Sequence, residues 1–404
     1  MNDLTKCVLT PEAPTEGFTP LGVGVHRAST IVFRNAAEYA SRGERGHQGY
    51  SYGLYGTPTT RTLEAKLTSL EGGAWTFLAP SGQAANALAV LPFLSAGDHI
   101  LIVDTAYPPM RDMAERDLRR LGIVVDFFDP LSVDDMQAKM TDATRMVWCE
   151  SPGSTTMEIL DLPRIAAIAH ERGALVGIDN TWATPLNFKP LQHGADIVTE
   201  ALTKFVSGHS DVLMGSITIR DEALIAPIRS LIGRMGIGVS PDDASLVLRG
   251  FETLGVRLRH SERVGLDFAR RLAAHPLVER VLHPALDTFP GHAIWKRDFT
   301  GSSGVFSVLF RHDVSAHVAA ALDALEVFVI GASWGGTRSL VAPMSIDGFR
   351  SATRWDGPET ILRLSVGLED EGELWADIER FLAEIGARAA SGVGKARGDS
   401  AHSG

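Results

Sequence analysis

Lys204 lies in an apolar run of small residues, ALTKFVSGHSD (201–211). Lysine side chains normally keep their ammonium group in water, so a lysine in such a run needs an explanation. It is a structural residue, a salt-bridge partner or a nucleophile. An amine with little hydration has a lowered pKa, and its neutral form attacks carbonyl groups. A chemical role for Lys204 therefore depends on the groups that the fold places beside it.

Asp179 and the turn at Gly82 are the first two such groups. Asp179 ends the apolar segment ALVGID (174–179), where its carboxylate could meet a cationic ring nitrogen. The segment TFLAPSGQAANAL (76–88) predicts a strand, a Ser-Gly turn and a helix. The free N–H groups of Gly82 and Gln83 at the start of that helix would hold a phosphate.

A phosphate cradle, an acid for a ring nitrogen and an amine for an aldehyde together suit pyridoxal phosphate, which acts as an electron sink. Each feature alone has an ordinary structural explanation. A strand-terminal aspartate commonly caps a turn, a Ser-Gly turn before a helix is frequent, and a partly buried lysine usually extends its amine to solvent. Their order along one predicted sheet favours the cofactor hypothesis.

The elements that would position these residues follow from the alternation of apolar and amphipathic segments between residues 61 and 220. Short β-branched runs predict strands, with helical spacing between them. The predicted strands include 98–104, 123–128, 145–150 and 174–179. This alternation predicts an α/β fold, with a mostly parallel central sheet covered on both faces. In such sheets, ligand sites form beyond the carboxyl ends of the strands.

Composition and periodicity also divide the chain into regions. They predict an N-terminal arm at 1–60 that contacts a neighbouring subunit, a large cofactor-binding domain at 61–255, a smaller C-terminal α/β domain at 256–390 and a disordered polar tail at 391–404. The strands predicted in the smaller domain are 304–310, 325–330 and 361–367.

The bulk composition limits the function classes. The chain has 404 residues, is 45% hydrophobic and carries a formal net charge of −11, which argues against nucleic acid or an anionic membrane surface as a partner. Cys7 and Cys149 are too few for a disulfide framework, and the sequence shows neither an apolar signal core nor a long apolar run. These features predict a cytoplasmic protein. The thirteen histidines show no metal-ligand spacing, so no metal site is predicted.

Eight motifs, in order, resemble the Cys/Met-metabolism family of pyridoxal-phosphate enzymes. They are ESPGSTTMEILDL (150–162), IDNTWATP (178–185), TKFVSGHSD (203–211), RGFETLGVRLRH (249–260), HPALD (283–287), WKRDFTGSSGVFS (295–307), SWGG (333–336) and LRLSVGLED (362–370). The resemblance covers roughly residues 20–385. It implies the fold type I, aspartate-aminotransferase-like architecture and a homotetramer built as a dimer of dimers.

The resemblance also implies roles for individual residues. Lys204 corresponds to the lysine that forms a Schiff base with the cofactor, and Asp179 to the acid that pairs with the pyridine nitrogen. Arg363 corresponds to the arginine that binds the substrate α-carboxylate. The other correspondences are Tyr107, stacked on the ring; Gly82, Gln83 and Thr203, at the phosphate; Ser333 and Trp334, facing the substrate; and Tyr52, reaching from the arm into the neighbouring subunit's site. Lys204, Tyr107 and Tyr52 are the predicted catalytic residues.

Several positions depart from the family pattern. Leu54 in YGLYG stands where the arm usually has an arginine for the neighbour's phosphate, so either that charge is lost or another arginine, such as Arg61, takes its place. Ala201 replaces a frequent serine. Ala332 lies where β-lyases tend to have tyrosine and γ-acting members glutamate, and Arg338 lies where glutamate is usual. These departures bear on substrate choice more than on the cofactor.

The motifs are nearest to those of the cystathionine β-lyases, so we expect β-elimination of a sulfur amino acid, cystathionine giving homocysteine, pyruvate and ammonia. Trp334 and the missing carboxylate at Ala332 favour the β-lyase branch. The alternatives are a cysteine-conjugate or cystine β-lyase, and a cystathionine γ-synthase, γ-lyase or methionine γ-lyase. A non-catalytic binding homologue is the remaining alternative, although Lys204, Asp179 and Arg363 are all present.

Overall fold

The computed structural model describes residues 16–398, with side chains described as far as residue 391. Cys7 and the first part of the predicted arm lie outside the described residues, as do residues 399–404 of the predicted tail. Between residues 16 and 57 the chain forms only short helical turns, in agreement with the predicted arm's lack of a sustained period.

A central sheet of seven strands has the order β1-β7-β6-β5-β4-β2-β3. Its strands are β1 (Trp75–Ala79), β2 (His99–Val103), β3 (Val124–Phe128), β4 (Thr144–Glu150), β5 (Leu175–Asp179), β6 (Ile197–Glu200) and β7 (Gly215–Ile219). The pairs β2–β3, β2–β4, β4–β5 and β5–β6 are parallel, and β7 is antiparallel to both its neighbours. The predicted mostly parallel sheet is confirmed, and the four strands predicted from sequence correspond to β2–β5.

The direction of β7 has a local cause. Parallel neighbours require a crossover, usually a helix, whereas β6 and β7 are joined by a loop at 201–214 that stays at one end of the sheet. The chain reverses in this loop, and Lys204 lies within it.

A second sheet of five strands has the order β10-β11-β12-β9-β8. Its strands are β8 (Val278–Leu282), β9 (Val305–Phe310), β10 (Val329–Ile330), β11 (Leu340–Met344) and β12 (Ile361–Ser365). All residues of β9 and β12 are buried, which places the hydrophobic core of this layer between the sheet and its helices.

Helices cover the sheets and connect their strands. They are α1 (Ala36–Ala40), α2 (Pro58–Glu71), α3 (Gly82–Val90), α4 (Pro108–Asp112), α5 (Val133–Lys139), α6 (Leu162–Glu171), α7 (Thr184–Asn187), α8 (Ile225–Met235), α9 (Pro241–Ala273), α10 (His292–Asp298), α11 (His312–Ser315), α12 (Val318–Ala321) and α13 (Glu371–Gly398). In the described part of the chain, no helix combines the length and apolar character that a membrane crossing requires.

Three elements differ from their predicted bounds. The helix α9 runs unbroken through the boundary predicted at 255/256, so that division stays a prediction. The strand predicted at 325–330 shortens to β10, because the N–H groups of residues 326–328 donate to the buried carboxylate of Asp377 instead of to a neighbouring strand. Finally, α13 continues past residue 390 to Gly398, since an established helix propagates at little cost.

Packing under the site is tight. A Cβ on Gly177 of β5 would lie 2.6 Å from the indole of Trp148 in β4. The glycine therefore lets a fully buried tryptophan fill the layer beneath the strand ends that carry the site.

Candidate active site

A cavity of about 220 Å³ opens at the carboxyl ends of β4, β5 and β6, where an α/β sheet is expected to place a ligand. Both sheets contribute, because β12 and the loop before β11 close one side of it. The cavity brings together most of the residues predicted from sequence, namely Gly82, Gln83, Tyr107, Asp179, Thr203, Lys204, Trp334 and Arg363.

Lys204 lies in the loop after β6 and not on the strand, which ends at Glu200. Its backbone N–H donates to the carbonyl of Ala201 at 3.0 Å, and the resulting turn points the side chain into the cavity. The amine Nζ donates to the Ser333 hydroxyl at 2.7 Å and lies 5.3 Å from the centroid of the Trp334 ring. The predicted substrate-facing pair thus holds the predicted nucleophile in place.

The electrostatics of the cavity favour a neutral amine. Burial, together with the nearby Arg363 guanidinium, lowers the pKa of Lys204 to about 8, while Asp179 opposes that change. About a tenth of the amine is therefore neutral at pH 7, far more than for an ordinary lysine, and the neutral form is what attack on a carbonyl requires.

Asp179 is the last residue of β5 and is held by its neighbours. Its Oδ1 accepts from the N–H of Thr181 at 3.0 Å and from the Thr181 hydroxyl at 2.5 Å, and its Oδ2 accepts from Asn86 at 3.2 Å. Burial raises the pKa of Asp179 in spite of these donors. A cationic group placed against the carboxylate would provide the missing countercharge.

The N-terminus of α3 provides the anion cradle. Ser81 caps the helix by accepting from the N–H of Ala84, which leaves the N–H groups of Gly82 and Gln83 without an intrahelical partner. A Cβ on Gly82 would lie 2.6 Å from the Cβ of Ala201, so only glycine lets the helix start this close to the loop that carries Lys204.

Thr203 also lines the cavity, but its hydroxyl already has partners. Oγ1 donates to the carbonyl of Met214 at 3.1 Å and accepts from the Met214 N–H at 3.0 Å. A phosphate needs donors, so Thr203 must release Met214 before its hydroxyl can contact one. Its predicted role stays a prediction.

Tyr107 extends over the cavity with 43% of its surface exposed. Its backbone N–H donates at 2.5 Å to Glu150, the last residue of β4, which is paired in register with Asp179. Glu150 is a cavity residue that the sequence reasoning missed, although its position at a strand end beside ESPGST was a usable signal. Burial, followed by the Asp179 charge, raises the pKa of Glu150 well above its ordinary value.

Arg363 lies on β12 and is 8% exposed. Its guanidinium donates to the backbone carbonyl of Ala332, and burial lowers its pKa to about 10. The remaining donors of the guanidinium face the cavity that Lys204 enters. This arrangement can bind a carboxylate in the fork geometry that arginine provides.

The arm residues do not reach this cavity within one chain. Tyr52 is 49% exposed, and Leu54 lines a separate cavity together with Arg61 and Arg229. The Arg61 guanidinium already has partners in this separate cavity. It pairs with the Glu64 carboxylate at 2.6 Å and donates to two backbone carbonyls. Its Nε has no partner among the described residues, but the guanidinium lines the separate cavity and not the one that Lys204 enters. The predicted contact of Tyr52 with a neighbouring subunit's site stays a prediction.

Two further polar residues have partners outside the cavity. Arg338, one of the departures, donates to Glu369 at 3.3 Å on the surface of the second sheet's loops. His209, which follows Lys204 closely in sequence, bonds through Nδ1 to the carbonyl of Ser207 at 2.6 Å.

A pair of buried acids lies behind the site. Glu200 ends β6 and Glu71 ends α2, and each is 2% exposed. Burial raises the pKa of Glu71 to about 8, and burial together with the Glu71 and Asp179 charges raises the pKa of Glu200 well above its ordinary value. The Glu71 carboxyl is therefore mainly protonated near neutral pH.

These groups fit pyridoxal phosphate. The free N–H groups at the start of α3 would hold its phosphate, the Asp179 carboxylate would meet its ring nitrogen, and the Lys204 amine would meet its aldehyde. The glycine at position 82 lets the start of α3 lie against Ala201, close to the loop that carries Lys204. Among the residues that the structure describes, no cluster of three or more potential metal ligands occurs.

Comparison with known proteins gives a consistent result. The family model described as Cys/Met metabolism PLP-dependent enzyme matches residues 4–383. The chain is 43% identical to a putative cystathionine β-lyase from Rhizobium johnstonii, over 90% of this chain and 91% of the relative. It is 40% identical to a cystathionine β-lyase of Escherichia coli, over 89% and 93%. Among solved structures, metB from Corynebacterium glutamicum superimposes with a TM-score of 0.85 at 26% identity, covering 95% of this chain and 98% of that one.

Proposed function

Because the chain belongs to the Cys/Met metabolism family of pyridoxal-phosphate-dependent enzymes, we propose that it is a β-eliminating carbon–sulfur lyase. It cleaves the Cβ–S bond of cysteine thioethers, cystathionine included, and releases a thiol, pyruvate and ammonia. One observation carries the proposal: the amine of Lys204, held at 2.7 Å by Ser333, shares a single cavity with Asp179 and Arg363. The lyase names of the relatives from Rhizobium and Escherichia support it.

Pyridoxal phosphate, when bound, supplies an electron-withdrawing ring that stabilises negative charge at the substrate's α-carbon. Asp179 serves this purpose by offering a carboxylate to the ring nitrogen. Thr181 and Asn86 hold that carboxylate in one orientation, so its position does not depend on the substrate.

The substrate is oriented by Arg363 and loses its α-proton to Lys204. A carboxylate in the guanidinium fork leaves the substrate few orientations, and restricting orientation is a large source of rate enhancement. The Lys204 amine, with a pKa of about 8, is a suitable general base near neutral pH. Ser333 keeps this amine directed into the cavity in the absence of substrate.

The leaving thiolate must receive a proton. Lys204 holds one after it has removed the α-proton, and the Tyr107 phenol is a second donor whose pKa is raised by burial and by the carboxylates of Glu150 and Asp179. Both groups line the cavity, so each is placed to deliver this proton.

Product analysis with purified, cofactor-loaded protein and cystathionine tests the function. We expect pyruvate without 2-oxobutyrate, separated by chromatography because both keto acids are reduced by the usual coupling enzyme. The appearance of 2-oxobutyrate would assign γ-elimination instead. A protein that remains colourless and inactive with added cofactor would support the non-catalytic binding homologue.

We further propose that the protein is a cytoplasmic homo-oligomer, a dimer of dimers. The arm exposes large apolar side chains, among them Phe18 at 70%, Leu21 at 105% and Val32 at 90%, and such side chains favour a partner surface. Light scattering coupled to gel filtration measures the mass. A monomer that is fully active would contradict the assembly.

A further inference from the structure

The cavity holds few charges for its size, and this limits the substrate. Four charged residues line it: Glu150, Asp179, Lys204 and Arg363. In the proposed function, Arg363 binds the α-carboxylate and Lys204 moves a proton. Among the described lining residues no cation is then left for a second carboxylate.

The anionic residues are largely committed. Asp179 accepts three hydrogen bonds and is placed for the ring nitrogen. Glu150 is partly buried and accepts from the backbone of Tyr107 through one oxygen. A second ammonium group would therefore have only the other oxygen of Glu150 to pair with in the described part of the cavity, and the carboxylate beside that ammonium would have no cation.

The outer part of the cavity is apolar. We call Tyr107, Ala332, Trp334 and Leu213 the outer wall. Leu213 is 69% exposed while lining the cavity, which places it at the opening. Apolar walls of this kind favour an apolar ligand by burying its surface from water.

Ala332 decides how much room the outer wall leaves. Its carbonyl accepts from the Arg363 guanidinium and the residue lines the cavity, so position 332 is next to the group that binds the α-carboxylate. A larger or charged side chain at this position would fill or polarise the space through which the leaving group extends. The methyl group does neither.

Residues 50–56 of a neighbouring arm, which include Tyr52 and Leu54, would not add the missing charge. If residues 50–56 of a second copy reach the cavity, they bring YSYGLYG, which contains tyrosines, a leucine and no ionisable cation. The oligomer is thus expected to extend the apolar surface.

We propose that the preferred substrate is a cysteine thioether whose leaving thiol is uncharged and apolar, alkyl or aryl, and not one whose leaving thiol carries its own amino and carboxylate groups. The proposal rests on the β-lyase function above. A buried charge without a partner is costly, so the distal zwitterion of cystathionine loses affinity here.

The reaction balances as R–S–CH2–CH(NH3⁺)–COO⁻ + H2O giving R–SH, pyruvate and NH4⁺. The α-proton goes to Lys204, and the Cβ–S bond breaks with its electron pair going to sulfur, which is then protonated. Water hydrolyses the remaining enamine to pyruvate and ammonium.

The decisive comparison uses cystathionine and S-butyl-L-cysteine. The butyl group has the carbon skeleton of the homocysteine half without its ammonium and carboxylate. We expect kcat/KM for pyruvate formation to be at least about tenfold higher for S-butyl-L-cysteine, the effect of one unpaired buried polar group. Homocysteine is the more acidic thiol and the better leaving group, so chemistry alone would give the opposite order. A higher kcat/KM for cystathionine would overturn the proposal.

A matched pair of variants tests whether the missing charge in the outer wall causes the substrate preference. Ala332→Lys adds a cation to the outer wall, and Ala332→Met adds similar bulk without charge. We expect the ratio of kcat/KM for cystathionine over S-butyl-L-cysteine to rise about tenfold in A332K relative to A332M. Equal ratios in the two variants would contradict a charge-based preference.

Binding gives a readout that needs no turnover. In Lys204→Ala protein, titration calorimetry should show tighter binding of S-butyl-L-cysteine than of cystathionine, and the reverse order would count against the proposal. The β-lyase function and the substrate preference give different results in this test. If neither thioether gives pyruvate, the β-lyase function fails; if both do and cystathionine is favoured, only the substrate preference fails.

Discussion

The two sides of the cavity are built differently. The inner wall, which we define as Asp179, Thr181, Asn86, Lys204 and Ser333, contains two sets of hydrogen bonds, one around Asp179 at the end of β5 and one between Lys204 and Ser333. The outer wall of Tyr107, Ala332, Trp334 and Leu213 has few polar contacts and includes strongly exposed side chains.

This difference indicates that the inner wall serves the reaction and that the outer wall selects the substrate. Hydrogen-bonded side chains on strand ends hold reacting groups to a fixed geometry, which catalysis requires. Apolar side chains on loops select a ligand by shape and by the absence of charge, and they tolerate change more readily. Substitutions in the inner wall should therefore lower the rate for every substrate, whereas substitutions in the outer wall should change the ratio between substrates.

The largest effect is expected for Lys204→Ala. Loss of a positioned general base typically costs ~10²–10⁴-fold, so pyruvate formation should fall at least about 10³-fold for all thioethers. Ser333→Ala keeps the amine and removes only its 2.7 Å partner, so it should cost far less. Steady-state pyruvate release measures both, and an equal loss in the two variants would mean that the amine itself is not the base.

Substitution of Arg363 should have the second-largest effect on activity. Arg363→Ala removes the charged hydrogen bonds to the α-carboxylate, worth ~1.5–3 kcal/mol, so kcat/KM should fall about 10- to 150-fold. Arg363→Lys keeps the charge but loses the fork and should recover part of that loss. If kcat/KM of the Arg363→Ala variant is close to that of the wild type, the α-carboxylate binds at another place in the protein.

Removal of a hydrogen bond that holds Asp179 should have a smaller effect on the rate. Thr181→Val removes the hydroxyl that donates to Asp179 at 2.5 Å, and we expect about a tenfold lower kcat from the loss of one charged hydrogen bond. Thr181→Ser keeps the hydroxyl and should remain near the wild-type value. The absorbance spectrum of the bound cofactor provides a second readout, since it should change in T181V and not in T181S.

The smallest effect concerns stability. The folded-state pKa of Glu71 is raised to about 8, so the folded protein keeps a proton that the unfolded chain releases near its ordinary pKa. Stability should therefore fall as pH rises from about 5 to about 8. Glu71→Gln should flatten this dependence and be about 1–2 kcal/mol more stable at pH 8, which is the desolvation cost removed.

Denaturant unfolding of the cofactor-free protein at pH 5 and pH 8 tests the Glu71 prediction. The exposed Glu373→Gln variant is the control and should follow the wild-type pH dependence. Parallel pH curves for E71Q and wild type would show that Glu71 titrates normally.

Much of the fold and of the inner wall could be predicted from sequence. The strands β2–β5 follow from short β-branched runs, because a strand buried on both faces is apolar along its length. The apolar residues around Lys204 led to the prediction of a chemical role for its amine. The structure places Lys204 in the cavity with Asp179 and the start of α3.

Other features could not be predicted because they depend on distant contacts. The strand expected at 325–330 is mostly replaced by hydrogen bonds to Asp377, some fifty residues further along the chain, and no local pattern signals such an acceptor. The contacts of Glu150 with Tyr107 and of Arg61 with Glu64 likewise appear only when the elements are packed.

The sequence by itself determined the family and the cofactor, and it identified Lys204 as the proposed reacting amine, because these depend on residue types in a fixed order along the chain. Only the tertiary structure decided which charges face the cavity. Glu150 and Thr203 find partners that are brought together in space, and Arg61 lines a separate cavity, so the outer wall is left without a cation.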